Sequence, residues 1–250
     1  MVKALLIRGM LAGVVAGVLA FGFAQVFGEP EMEYAIAFEE QMAQAAQAKA
    51  DAAGTVHDHH QAAWVSRGVQ AGIGLLTAVV VYGAGIGGLF AIAFAFAYGR
   101  VGRFGPRATA ALLAAGGFIS VAMVPFLKYP AMPPAVGSPE TLGNRTALFL
   151  VMIAISIKAA VIAIGLARRL IGRFGPWLSA LAGGLAFIAI VGAVQVALPE
   201  VNDVPGAFST DMLWRFRAAS LGMQMLMWGM LGVVFGALSA RLLDRRDDAA

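Results

Sequence analysis

Six stretches of this chain are apolar over about twenty residues or more, the length of helix that is needed to cross a bilayer. Of the 250 residues, 60% are hydrophobic and 13% are charged, whereas soluble domains carry about 25% charged residues. The apolar runs are continuous and do not alternate at every second residue, which argues against a β-barrel. The sequence therefore predicts an all-α, polytopic transmembrane helical bundle.

The six predicted spans form one membrane domain over residues 1–250. Their approximate limits are 8–27, 68–98, 107–127, 146–167, 177–198 and 214–240. The first span follows Lys3 and Arg8 and resembles a signal peptide, but it continues to about Phe27 without a clear small-residue cleavage site. We therefore expect the first span to be retained as a helix.

Basic residues predict how the spans are oriented. Arginines cluster in the connections 99–107 and 167–176 and again after residue 240, and a six-span arrangement places all three groups on one side. Since basic loops remain in the cytoplasm, both termini are predicted to be cytoplasmic. This pattern accounts for the net charge of +4 without a nucleic-acid partner. The expected location is the cell (inner) membrane, with multiple passes through the lipid bilayer.

The pentapeptide GRFGP occurs twice, at 102–106 and at 172–176. Each copy follows one predicted span and opens the next, and a proline-rich outer loop comes after that second span. The matching context predicts a duplicated helical hairpin.

The first outer loop, residues 28–67, is acidic and contains every histidine of the chain. Its first half predicts an amphipathic helix, because Pro30 suits a first helical turn and Tyr34, Phe38 and Met42 recur at every fourth residue. The histidines follow in the short segment 57–60, which reads HDHH. Imidazole and carboxylate together suit divalent transition metals. The segment is too compact to close one coordination shell, and on the motif alone a solvated polar loop is the favoured alternative.

Glycines four residues apart recur in the spans, and this spacing lets helix backbones approach closely. They are Gly9/Gly13/Gly17, Gly68/Gly72, Gly83/Gly87 and Gly232/Gly236. We interpret them as packing positions. The alternative is that a glycine-rich helix unwinds within the membrane and exposes its carbonyls to an ion.

Lys158, Gln195 and Gln224 are polar side chains that lie within the predicted spans. Lys158 is near the centre of the fourth span, so it is expected to face the bundle and to have a partner. Gln195 and Gln224 either bond to a neighbouring helix or line a path through the bundle. The chain has no cysteine, which excludes thiolate ligands. It also has no HExxH or phosphate-loop motif, so we expect no enzymatic activity.

Several segments, in order along the chain, resemble the CbtA family of predicted cobalt transporter subunits. The segments are RGMLAGVVAGVLAFGFAQVFGEP, AIAFEE, SRGVQAGIGLLT, VPFLKYPAMPPAVG and LPEVNDVPGAF leading into LWRFRAASLG. Members of this family are small integral membrane proteins, often placed beside a one-span, histidine-bearing partner called CbtB. They are often described with five spans, whereas the present sequence predicts six.

The resemblance implies a transporter subunit that captures divalent cobalt as its substrate, needs no cofactor and assembles with a CbtB-like membrane subunit. Combined with the topology, it places candidate metal ligands on the outer side. These residues are Glu29, Glu39, Glu40, His57, Asp58, His59, His60, Glu200, Asn202 and Asp203. Arg217, one turn inside the last span, is expected to pair with Asp203 or Asp211. The alternatives are a non-transporting scaffold, or a carrier of nickel or another small solute, and a homo-oligomer remains open.

Overall fold

The computed structural model describes residues 2–52, 65–133, 136, 139–201 and 204–247. Within these ranges every regular element is helical, and five helices are long and apolar enough to cross a membrane. The predicted transmembrane helical bundle is therefore confirmed. In chain order the helices are α1 (Val2–Phe27), α2 (Glu29–Ala52), α3 (Arg67–Ala97), α4 (Pro106–Lys128), α5 (Pro139–Ala197) and α6 (Thr210–Met230, Leu231–Phe235 and Gly236–Asp247).

The helix α5 is a hairpin of two apolar segments. Its 59 residues would extend to about 90 Å as one straight helix, three times the thickness of a bilayer core. The helix is interrupted at Gly175, whose φ of 75° favours glycine, and Pro176 then begins the next segment. Beyond the break the chain folds back, so that Gly183 lies against Ala163 and Ala167. Among the described residues, the five long helices therefore provide six apolar segments, because α5 contains two of them.

Successive membrane segments run in opposite directions, and their ends form two opposite groups. We call the end that holds Phe27, Arg67 and Lys128 the acidic end, because the acidic connecting segments of the chain adjoin it. The end that holds Arg107 and Gly175 is called the basic end, because the arginine-rich connections lie there. Both GRFGP copies lie at the basic end, and in each copy the proline starts a helical segment. The duplicated hairpin remains a prediction.

The helices α1 and α3 form the closest contact in the bundle because glycines face one another across it. A Cβ atom at Gly13 would overlap the carbonyl of Gly83, and one at Gly87 would overlap the carbonyl of Gly9. The packing role predicted for these glycines is confirmed, and the glycine-rich part of α3 remains helical. The same prediction is wrong for the pair at positions 68 and 72, where an added Cβ would meet open space.

The amphipathic helix predicted after the first span is also confirmed. It is α2, which packs near the start of α6 through Ala35 and Phe38, both in contact with the cluster around Phe208. The rings of Phe38 and Phe208 lie edge to face at 5.1 Å. Met42, expected on the same face, is exposed instead, so that the buried face is narrower than the sequence pattern suggests.

The expectation that Lys158 faces the bundle is wrong. Lys158 is exposed, whereas Met152, Ser156 and Ala159 take the buried face of the same segment. In the apolar 18-residue stretch of α5, 22% of the residues are buried, against 33–44% in the corresponding stretches of the other four long helices. It packs mainly against the acidic-end half of α4.

Candidate functional site

An ion pair at the acidic end joins the start of α2 to the start of α3. The carboxylate of Glu29 accepts two hydrogen bonds from Nη2 of Arg67, at 2.7 and 2.8 Å. The Glu29 side chain is only 14% exposed, and a partly buried pair of this kind is screened less than a surface pair. Glu29 would have to give up Arg67 before it could bind a cation.

A second ion pair at this end joins the last turn of α4 to the connection before α6. Nζ of Lys128 lies 3.6 Å from the Glu200 carboxylate, which is 90% exposed, while the lysine side chain is 12% exposed. The neighbouring hydroxyl of Tyr129 donates a hydrogen bond to the carbonyl of Pro199 at 2.9 Å. Burial raises the pKa of Tyr129, so the hydroxyl keeps its proton and remains a donor. The exposed carboxylate of Glu200 is thus held at the surface by a well-anchored connection.

Arg217 does not bind the carboxylate that is nearest to it along α6. Its Nε donates to the carbonyl of Ala131 at 3.3 Å, and its guanidinium lies 5.9 Å from the ring centre of Trp214. Asp211 is instead paired with Arg215 at 2.9 Å. Arg217 therefore ties α6 to the segment that follows α4.

A cavity of about 350 Å³ lies in the acidic-end half of the bundle, where α3, α4, the first segment of α5 and α6 meet. We call it the acidic-end cavity. Tyr82 from α3 and Gln224 from α6 both lie in its wall. The polar side chains that line it are Tyr82, Tyr129, Arg145, Thr146, Ser220 and Gln224. Among the described lining residues there is no carboxylate. The side-chain atoms that could contact an ion in this cavity are therefore neutral oxygens and nitrogens, beside one arginine.

An irregular part of α4 shapes one wall of this cavity. Residues Phe118–Met123 form a π-helical segment, and such segments often occur at functional sites. Pro125 follows directly and has no N–H to donate to the preceding turn. The side chain of Gln195, from the second segment of α5, donates to the carbonyl of Val124 at 3.2 Å. Of the two alternatives for Gln195, the structure shows the interhelical hydrogen bond.

A larger space of about 600 Å³ lies toward the basic end, between α4 and α6. We call it the basic-end groove. Its walls are mostly alanine and glycine, with Phe118, Met225 and Trp228 at one end and Arg107 at the other. The acidic-end cavity and the basic-end groove are both lined by α4 and α6, so open space borders this helix pair toward each end.

The predicted metal ligands that the structure describes do not come together. Glu39 and Glu40 are exposed on α2, while Glu29 and Glu200 each have a basic partner. The HDHH segment at 57–60 and the pair Asn202 and Asp203 lie outside the described residues. In the described part of the chain, no three histidine, aspartate or glutamate side chains come close enough to hold one metal ion.

Comparison with known protein families matches residues 2–240 to the family described as "Probable cobalt transporter subunit (CbtA)". The chain belongs to the CbtA family. It is accordingly a membrane protein of a family described as a probable transporter subunit, which agrees with the resemblance seen in its sequence. No curated protein and no solved structure matches the chain.

In this CbtA-family protein, the sequence alone did not identify Tyr82 or Ser220 as cavity-lining residues. A tyrosine or serine in an apolar span is too common to mark a site. Gln224 was the residue from which the cavity could have been suspected, because an amide within a span needs a polar partner or water. Sequence reasoning also passed over Glu31, which has one buried carboxylate oxygen without a hydrogen-bond donor among the described residues.

Proposed function

We propose that this protein is a subunit of a cobalt transporter, and that this subunit captures Co²⁺ outside the cell and passes it inward between α4 and α6. In this proposal the whole chain forms one membrane domain. In this proposal the acidic end faces outward and both termini are cytoplasmic, as the arginine distribution favours. A one-span, CbtB-like protein is the proposed partner subunit. Cobalt is the substrate, no cofactor is needed, and the protein is not an enzyme.

The observation that carries this proposal is the acidic-end cavity. It opens within the bundle close to Glu200, whose carboxylate is exposed at the same end. Divalent transition metals accept imidazole and carboxylate ligands at capture, and hydroxyl, amide and carbonyl oxygens can then replace water along a path. The basic-end groove continues along the same helix pair. Capture is thus assigned to the outer segments and passage to the α4–α6 interface.

A second candidate function is a scaffold that does not itself conduct ions. Its support is that two of the proposed capture carboxylates, Glu29 and Glu200, already pair with basic side chains. In that case a partner subunit would provide the path, and this chain would assemble and position it. Nickel, or another small solute, remains the alternative substrate if the chain does transport.

Co²⁺ uptake into liposomes that contain the purified protein separates these functions. We expect uptake by the protein with a CbtB-like subunit, and a lower rate after the double change Glu200→Ala and Asp203→Ala. Two carboxylates that attract a dication are removed, so uptake at limiting Co²⁺ should fall about tenfold, which corresponds to about 1.4 kcal/mol. The matched control is Glu140→Ala, which removes an exposed carboxylate at the start of α5. Unchanged uptake in the double variant would contradict an outer capture site, and stable assembly without any uptake would support the scaffold.

The histidine segment is tested by changing His57, His59 and His60 to alanine together. We expect uptake to fall at limiting Co²⁺ and to recover at saturating Co²⁺, because transient capture raises the local ion concentration without forming the path. The measurement is a concentration series of uptake rates in the same liposomes. Loss of uptake at saturation would show instead that the histidines belong to the conduction site.

A further inference from the structure

The exposed lysine in the middle of α5 indicates a surface that this chain leaves uncovered. Lys158 lies 13 residues after Arg145 and 10 before Arg168, or about 20 Å and 15 Å along a helix. A lysine near a helix end can extend its amine to the membrane surface. At these distances from both ends, the amine of Lys158 stays within the hydrocarbon.

No side chain of the described chain neutralises this amine. Lys158 is exposed and makes no hydrogen bond or ion pair with any of the described residues. Charged side chains inside a membrane pair with one another or face water-filled space, because lipid offers them no solvation. A partner for Lys158 must therefore come from outside the chain.

A second copy of the chain cannot supply that partner at the required depth. All 14 aspartates and glutamates fall outside the apolar spans: none occurs between Asp58 and Glu140, or between Glu140 and Glu200. The last span is likewise free of carboxylates from Asp211 to Asp244. Charge complementarity thus calls for a different protein.

The surface around Lys158 has the shape that a helix needs. Residues three or four apart share a helix face, and on this face Val151, Ala154, Val161 and Gly165 are exposed together with Lys158. An added Cβ at Gly165 would meet nothing within 4 Å, so this glycine is not used for packing within the chain. Small residues such as Ala154 and Gly165 allow close approach by another helix.

We propose that the Lys158 face binds a transmembrane helix of a different protein, one that carries an aspartate or glutamate at mid-membrane depth. The carboxylate pairs with the Lys158 amine, and the approach is close because Ala154 and Gly165 are small. This surface lies on α5, away from the α4–α6 interface, and does not depend on the proposed passage of cobalt.

Photo-crosslinking in the native membrane tests the proposal with p-benzoylphenylalanine as the probe. The probe is placed at position 154 on the Lys158 face, and at position 89 as a control, since Leu89 is 63% exposed on α3 with no charged neighbour on its face. We expect position 154 to give an adduct with another membrane protein that has a carboxylate within a span, and position 89 to give none. Lys158→Met should lower the adduct yield about fivefold, as the loss of one interhelical polar contact predicts, and Lys158→Arg should retain it.

A charge exchange completes the test. Lys158→Asp should abolish the adduct, and changing the partner's carboxylate to lysine should restore it, which a general loss of folding would not allow. Yields are compared at equal amounts of monodisperse protein. An adduct with lipid alone, with a second copy of this chain or with a protein that lacks a membrane-embedded carboxylate would overturn the proposal, as would a yield unaffected by Lys158→Met.

Discussion

Gly13→Leu is expected to prevent stable packing of α1 on α3. The first side-chain carbon would already overlap the carbonyl of Gly83, and that backbone has no rotamer with which to move aside. Extra methylenes in a packed contact cost about 1–3 kcal/mol, and we expect the upper end here. For a chain of this size, that corresponds to a melting temperature lower by about 6–12 °C. The measurement is thermal unfolding of the purified protein in detergent.

The matched control is Gly22→Leu on the same helix. A Cβ at position 22 would meet nothing within 4 Å, so this change adds the same side chain and the same hydrophobicity without a clash. We expect its melting temperature to stay within about 2 °C of the wild type, the range of most surface substitutions. Equal losses in the two variants would mean that the glycine contact is not what limits stability.

Ser220→Trp is expected to slow cobalt uptake strongly without unfolding the protein. Ser220 lines the acidic-end cavity, and an indole placed there fills space that the proposed path requires. A rise of about 1.4 kcal/mol in the barrier slows a step about tenfold, and we expect at least this reduction. The measurement is Co²⁺ uptake by liposomes that contain equal amounts of folded variant and wild-type protein.

Val81→Trp is the control for adding a large side chain to a membrane helix outside the cavity. Val81 is 66% exposed on α3, beside the cavity-lining Tyr82 but on the outer surface of the helix, so an indole at this position faces lipid. Its uptake should match the wild type. If both variants transport normally, passage does not use the acidic-end cavity, and the scaffold function becomes the better account.

The positions of the membrane helices could be predicted from the sequence because hydropathy and length determine them directly. Even the break in α5 had a signal, since Gly175 and Pro176 interrupt an apolar run beside three arginines. The direction in which each helix faces could not be predicted in the same way. The fourth span is apolar on every side, so nothing in its pattern shows that Ser156 is buried and Lys158 exposed.

The acidic-end cavity could not be predicted because it depends on how four helices diverge. Its wall combines Tyr82, Thr146 and Ser220 from three distant parts of the chain, and no local spacing relates them. Carboxylates and histidines drew attention to the outer segments because their chemistry can be recognised residue by residue. The same reasoning overlooked that Arg67 and Lys128 already bind two of those carboxylates.

The hydrogen bond from Gln195 to the Val124 carbonyl adds a directional contact to the apolar packing of the α5 hairpin on α4. Both contacts reach the irregular part of α4 that forms the cavity wall. A protein that binds the hairpin from the lipid side could therefore shift the part of α4 around Val124. Subunit assembly and the width of the cavity would then be mechanically coupled through this contact between α5 and α4.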